Sequence, residues 1–152
     1  MPQVKITAAK GLHQVVGNGQ LLARGSAPAI VQKFAAPAAP GASDQTITVA
    51  QLLTGILAQD PGGASDYTLP TNALLRAGLP DVQTGDTIDF AVINLDTTAG
   101  VDITVVAGSG GTAVGGMKVQ AKDEVADAIC SGSGQFRIRI ASDTAYVVYR
   151  LA

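Results

Sequence analysis

The chain has no tryptophan, one cysteine and one histidine, and only 14% of its residues are charged. Each shortage removes a class of function. With Cys130 alone, neither an intrachain disulfide nor a cysteine-rich zinc site can form. Such a cysteine between Ile129 and Ser131 is read as a small apolar residue. His13 is the sole imidazole, so a metal site built from several histidines is excluded by count. A Ser-His-Asp triad would have to run through it, yet no serine sits in a G-x-S-x-G elbow. Three Tyr and three Phe are too few for a base-stacking platform. Ten Lys and Arg against twelve Asp and Glu leave a net charge of −2, the opposite of a basic stripe. No direct nucleic-acid partner is expected. No apolar run reaches the ~18 residues of a membrane span, so no membrane partner is expected either. The opening MPQVKITAAKGLHQ has no hydrophobic signal core, which implies synthesis in the cytoplasm without classical secretion.

What is present is a β-former's vocabulary. From Asp86 onward TIDFAVINLD, VDITVVAG, GGMKVQA, GQFRIRIAS and TAYVVYRLA follow one another, separated by glycine-rich turns. Ile88, Phe90 and Val92 fall in one phase, Val101, Ile103 and Val105 in another. Phe136, Ile138 and Ile140 make a third set and Val147, Tyr149 and Leu151 a fourth. Arg137 and Arg139 on the opposite face fix the register of the third strand, since a one-residue slip would bury two guanidinium groups. Asp96–Gly100 reads as a hairpin-type loop. Upstream, QTITV and ILAQD read as strands, AQLLTG as one helical turn, and DYTL as a further short strand. Thr71 is an N-cap for NALLRAG, with Leu74 and Leu75 on the core and Arg76 at the surface. Around eight short strands at this spacing predict an all-β fold. The expected form is an antiparallel β-sandwich or barrel of jelly-roll type, with one or two short helices.

The first 43 residues differ. VKITAA can form a strand, but the stretch from Gly11 to Phe34 has no sustained period, and AAPAAPGAS reads as a linker. The expected organisation is an extended N-terminal arm and linker over 1–43 and a compact domain over 44–152. At 152 residues the chain is long enough for one domain without disulfide or metal. Its few charges, against about 25% in ordinary soluble domains, favour burial of part of the surface by another subunit.

The chemical motifs are weak. GSGGTA at 108–113 matches G-x-G-x-x-A, but VGGMKV follows where a helix N-terminus is required. Asp60 and Asp66 flank a glycine loop that lacks the alternate oxygen ligands and terminal Glu of a calcium loop; such Asp residues cap their own turns. Asp86 with Asp89, and Asp123 with Glu124 and Asp127, read as solvated carboxylates rather than acid–base pairs. No catalytic residue, no cofactor and no metal is expected, and the protein is not read as an enzyme.

LLTGIL-x-QDP, YTLPT, GD-x-x-DF-x-x-IN and a terminal VYRL, spread from Thr46 to the C-terminus, resemble small bacteriophage structural proteins. These are the capsid decoration (cement) proteins and head-surface knobs or fibres. The resemblance implies a non-enzymatic homotrimer on the capsid surface of a virion, made in the host cytoplasm. It would bridge subunits of the major capsid protein. Val15, Val16, Leu21, Leu22, Ile30, Val31 and Phe34 in the arm are then the expected anchors to the capsid or a neighbouring subunit. The alternative is a head-fibre knob recognising a host glycan, whose stacking rings would come from Tyr67, Tyr146 and Tyr149.

Overall fold

The computed structural model describes residues 35–122 and 132–152 with their side chains, and residues 4–7, 11–14, 21–23 and 30–32 as backbone. The chain divides into two compact units, Met1–Ala35 and Ala36–Ala152.

The first unit is built from hairpin pairings. β1 (Val4–Thr7) runs antiparallel to β2 (Gly11–Gln14), with Ile6 opposite Leu12. β3 (Leu21–Ala23) runs antiparallel to β4 (Ile30–Gln32), with Leu22 opposite Val31. Strands of three or four residues are too short to display a period, which is why the sequence between Gly11 and Phe34 did not announce them.

In the second unit the elements are β5 (Gln45–Thr46), α1 (Val49–Leu52), β6 (Ile56–Gln59), β7 (Ser65–Thr68) and α2 (Asn72–Gly78). They are followed by β8 (Thr87–Asn94), β9 (Ile103–Val106), β10 (Gly111–Val114), β11 (Lys118–Val119), β12 (Ser133–Ile140) and β13 (Tyr146–Arg150). Both helices start on threonine caps. Thr48 and Gln51 form a reciprocal capping box: the Thr48 hydroxyl accepts from the Gln51 N–H at 3.2 Å, and the Gln51 amide oxygen accepts from the Thr48 N–H at 2.8 Å. The Thr71 hydroxyl accepts from the Leu74 N–H at 3.2 Å, as the sequence predicts.

The strands form two mixed sheets. One has the order β10-β13-β12-β8-β6, the other β11-β9-β7-β5. β12 is antiparallel to both β8 and β13, while β10 is parallel to β13 and β6 parallel to β8. In the second sheet β5 and β9 flank β7 in parallel and β11 closes antiparallel on β9. The fold is mainly β, but the expectation of purely antiparallel pairing is corrected. Segments containing α1 and α2 separate several strands, and such longer connections permit parallel neighbours. Both sheets contribute to one apolar core, with Leu57, Phe90, Ile138 and Val148 from the first and Tyr67, Ile103 and Val105 from the second. Leu52 of α1 and Leu75 of α2 belong to the same core.

Three further readings are corrected. The Asp96–Gly100 loop joins strands of different sheets and is not a hairpin. Buried Asn94 ties it down: Nδ2 donates to the Val101 carbonyl at 2.7 Å and the Val119 carbonyl at 3.3 Å, and Oδ1 accepts from the Asp96 N–H at 3.1 Å. In β13 the inward residues are Tyr146 and Val148, whereas Leu151 is 49% exposed. The reason is register. The turn after β12 places Ile140 opposite Tyr146 and Ile138 opposite Val148, and directly opposed residues share a face. In α2, Leu75 is fully buried but Leu74 is 53% exposed. Adjacent residues point about 100° apart, and this seven-residue helix buries a single stripe, Asn72 with Leu75.

Candidate functional site

The chemically suggestive residues resolve into turn and framework roles. Asp60 Oδ1 accepts from the Gly62 N–H at 3.2 Å, so this carboxylate caps its own turn. The Asp66 N–H instead donates to the Asp44 carboxylate at 2.8 Å. Asp86 Oδ2 accepts from the Gln83 N–H at 2.9 Å. Asp96 Oδ1 accepts from the Thr98 N–H at 2.6 Å, the main reason its carboxyl titrates below the usual range. Among the described residues no three of His, Cys, Asp and Glu gather where they could hold a metal ion. His13 pairs with Lys5 in the β1–β2 ladder. Asp123, Glu124, Asp127 and Cys130 lie outside the described residues.

Asp89 belongs to a cross-strand pair. It stands opposite Arg137, and the guanidinium grips it through Nε–Oδ1 and Nη2–Oδ2, both 2.6 Å. That bond holds the Asp89 carboxyl below its ordinary range. The sign follows: the pair's contribution is present above the ordinary Asp value of about 3.9 and is lost as pH falls through the depressed one. Both side chains are about half exposed, so the pair fixes register more than it stabilises.

The glycine motif at 108–113 has a packing explanation. Gly111–Val114 is strand, so no helix begins within the motif. A Cβ on Gly108 would lie 2.3 Å from the Leu69 carbonyl oxygen, and one on Gly111 2.3 Å from the Tyr146 ring. The Gly108 N–H donates to the Tyr146 hydroxyl at 2.8 Å. Asn72 joins the same knot, its N–H donating to the Ser109 carbonyl at 3.0 Å and its Nδ2 to the Asp143 carbonyl at 2.8 Å. The glycines let two loops and the start of α2 approach closely.

The tyrosines are largely internal. Tyr67 is buried, its hydroxyl donates to the Gly41 carbonyl at 3.0 Å, and burial pushes its phenol up to about 12. Burial also raises Tyr146. Tyr149 alone is partly exposed, so the sugar-stacking set expected of Tyr67, Tyr146 and Tyr149 is not assembled on a surface.

The outward face of the five-stranded sheet carries the Asp89–Arg137 pair, with Ile56 and Val114 exposed on its two edge strands. An open apolar groove of about 770 Å³ lies where α1, α2 and the start of β8 meet, lined by Leu53, Leu79, Pro80, Val82 and Ile88 with Asp81 and Asp86. The sheet edges are treated unequally. Along β6, Ala38 makes a parallel bridge to Leu57: its N–H donates to the Ile56 carbonyl and its carbonyl accepts from the Ala58 N–H, each at 2.9 Å. Pro37 and Pro40 flank that bridge and cannot extend the ladder. β5 and β11 are edge strands of two residues each. β10 is a four-residue edge strand, and no described strand pairs with its outer side.

Of the expected anchors, Leu21 and Leu22 lie in β3 and Ile30 and Val31 in β4, where pairing brings Leu22 beside Val31. Val15, Val16 and Phe34 lie outside the described residues. The edge at β10 was missed by sequence reasoning, although GSGGTAVGG, nine residues without a charge, was the available signal. Comparison with protein-family models, with characterised proteins and with solved structures finds no match to this chain.

Proposed function

We propose that this chain is a non-enzymatic viral structural protein that decorates and stabilises a bacteriophage capsid by bridging neighbouring capsid subunits. In this reading Ala36–Ala152 is a β-sandwich knob, its two sheets closing over their common core, and three copies assemble into a trimer on the virion surface. The observation that carries the reading is the division at Ala35 and Ala36 into a small unit of short hairpins and a larger β unit with its own core. That is the build of an anchor and a knob. The resemblance marks support it: Leu52, Leu57, Tyr67, Phe90 and Val148, which belong to them, are core residues. The turn carboxylates support it as well, since they serve backbone geometry. Many weak contacts repeated by symmetry give avidity without a deep site, which suits a low-charge surface.

The test is co-sedimentation with heads assembled from the major capsid protein of the encoding phage. The full chain is expected to pellet with heads at a stoichiometry that is a multiple of three per site, and residues 36–152 alone are expected to stay in the supernatant. Undiminished binding by 36–152 would remove the anchor from the first unit. A full chain that never pellets with heads would refute decoration itself.

A further inference from the structure

We propose that β10 is a self-pairing edge, through which two copies of this chain join antiparallel about a two-fold axis at Ala113 and merge their five-stranded sheets. The first ground is the inequality of the edges. An open strand edge invites pairing with another chain, and proteins block unwanted pairing with proline, charge, brevity or a covering segment. The β6 edge has the Ala38 bridge between two prolines. β11 is two residues long and carries Lys118, and β5 is two residues long and follows Asp44. Among the described residues β10 has none of these guards: Thr112, Ala113 and Val114 are exposed, and Val114 is 46% exposed although apolar.

The second ground is backbone direction. The Gly110 carbonyl accepts from the Tyr146 N–H at 2.8 Å, so residues in phase with Gly110, namely Thr112 and Val114, turn their backbone groups toward β13. Ala113 is out of phase and turns its N–H and carbonyl outward. Across a two-fold axis Ala113 therefore meets Ala113 of the second copy as a hydrogen-bonded pair.

The third ground selects a second copy as the occupant. Gly111-Thr112-Ala113-Val114-Gly115 is nearly palindromic in shape, because threonine and valine have almost the same outline. Antiparallel self-pairing at Ala113 sets Thr112 against Val114, so each apolar valine covers a threonine methyl, and sets glycine against glycine. Ala113 alone meets its own copy on the axis, and identical residues beside it lie diagonally across the seam, so like charges in this stretch would repel. From Gly108 to Gly116 there is no charge to do so. The contact does not depend on the capsid reading, and with a trimer it would link one trimer to the next.

The experiment measures the mass of the full chain by sedimentation equilibrium at micromolar concentration. It compares the native protein, Ala113→Glu, Ala113→Lys, and an equimolar mixture of the two variants. The native chain is expected to have an even number of copies. Each variant should have half that mass, because like charges then meet across the axis, and the mixture should recover the native mass. An odd native number, variants of unchanged mass, or a mixture that does not recover would each overturn the proposal. A second measurement does not depend on those variants folding. In a Cys130→Ser background, Thr112→Cys and Val114→Cys chains should cross-link on oxidation when mixed, and neither should when alone, because only the mixture places two thiols directly opposite. Cross-linking of Thr112→Cys with itself at the same rate would equally overturn the register.

Discussion

Tyr146 illustrates how single residues here do structural work that resembles chemistry. Its phenol is buried, and its hydroxyl is the acceptor for a backbone N–H in the loop that mimics a nucleotide-binding motif. Gly108 is the other half of that contact, and its missing side chain is what allows the approach to Leu69 and Pro70. A methyl group there would meet backbone, which cannot swing aside as a side chain can. Gly108→Ala is therefore expected to destabilise by about 1–3 kcal/mol, the usual cost of overpacking. Gly63→Ala is the control, because nothing lies within 4 Å of its would-be Cβ; its effect should stay within about 0.5 kcal/mol. Urea unfolding of the three proteins checks this. Equal midpoints for Gly108→Ala and the parent would show that the loop is not packed as described.

At the scale of elements, α2 gives the sharpest contrast, since neighbouring leucines have opposite environments. Leu75→Ala should cost about 2–5 kcal/mol, as expected for a buried leucine. Leu74→Ala should stay within about 0.5 kcal/mol. Thermal unfolding of both variants reads the difference, and comparable losses would return Leu74 to the core. This pair also marks the limit of what the sequence could tell. The existence of α2, its Thr71 cap, the phases of β8 and β12 and the outward arginines were legible, because period and capping are local signals. The phase of β13 was not, since Tyr146–Tyr149 is apolar at every position and only pairing with β12 selects the face. The parallel pairings were hidden for the same reason: they are set by which strands lie adjacent, and nothing within a strand records that. The candidate surface was the least legible part. An unguarded edge is recognised only once the other edges are known to be guarded.

For the whole molecule, the boundary between the two units is the testable point. The sequence placed it before Asp44 because AAPAAPGAS looks like free linker, yet the division of the chain falls after Ala35. Several bonds tie the intervening residues to the larger unit. Ala38 bridges Leu57, the Gly41 N–H donates to the Gln59 side-chain oxygen at 3.2 Å, and the Ser43 N–H donates to the Pro61 carbonyl at 3.4 Å. The Gly41 carbonyl is the acceptor for the buried Tyr67 hydroxyl. Prolines here rigidify a strap instead of loosening a hinge, because their fixed φ costs little in extended chain. Two truncations separate these ideas. A chain of residues 36–152 keeps the strap and every described core residue, so it should unfold cooperatively with the midpoint of the transition that the full chain shows for this unit. A chain of residues 43–152 loses the Ala38 bridge and leaves the Tyr67 hydroxyl without its acceptor, a penalty of about 1–3 kcal/mol for the orphaned group alone. Its midpoint should be lower, and amide exchange at Ala58 should quicken, because the carbonyl that accepts from it is gone. If 43–152 matches 36–152 in both measurements, the strap contributes nothing and the compact unit begins near Asp44. If the shorter chain is weaker and Ala58 exchanges faster, the Pro/Ala segment is part of the β unit and guards its β6 edge.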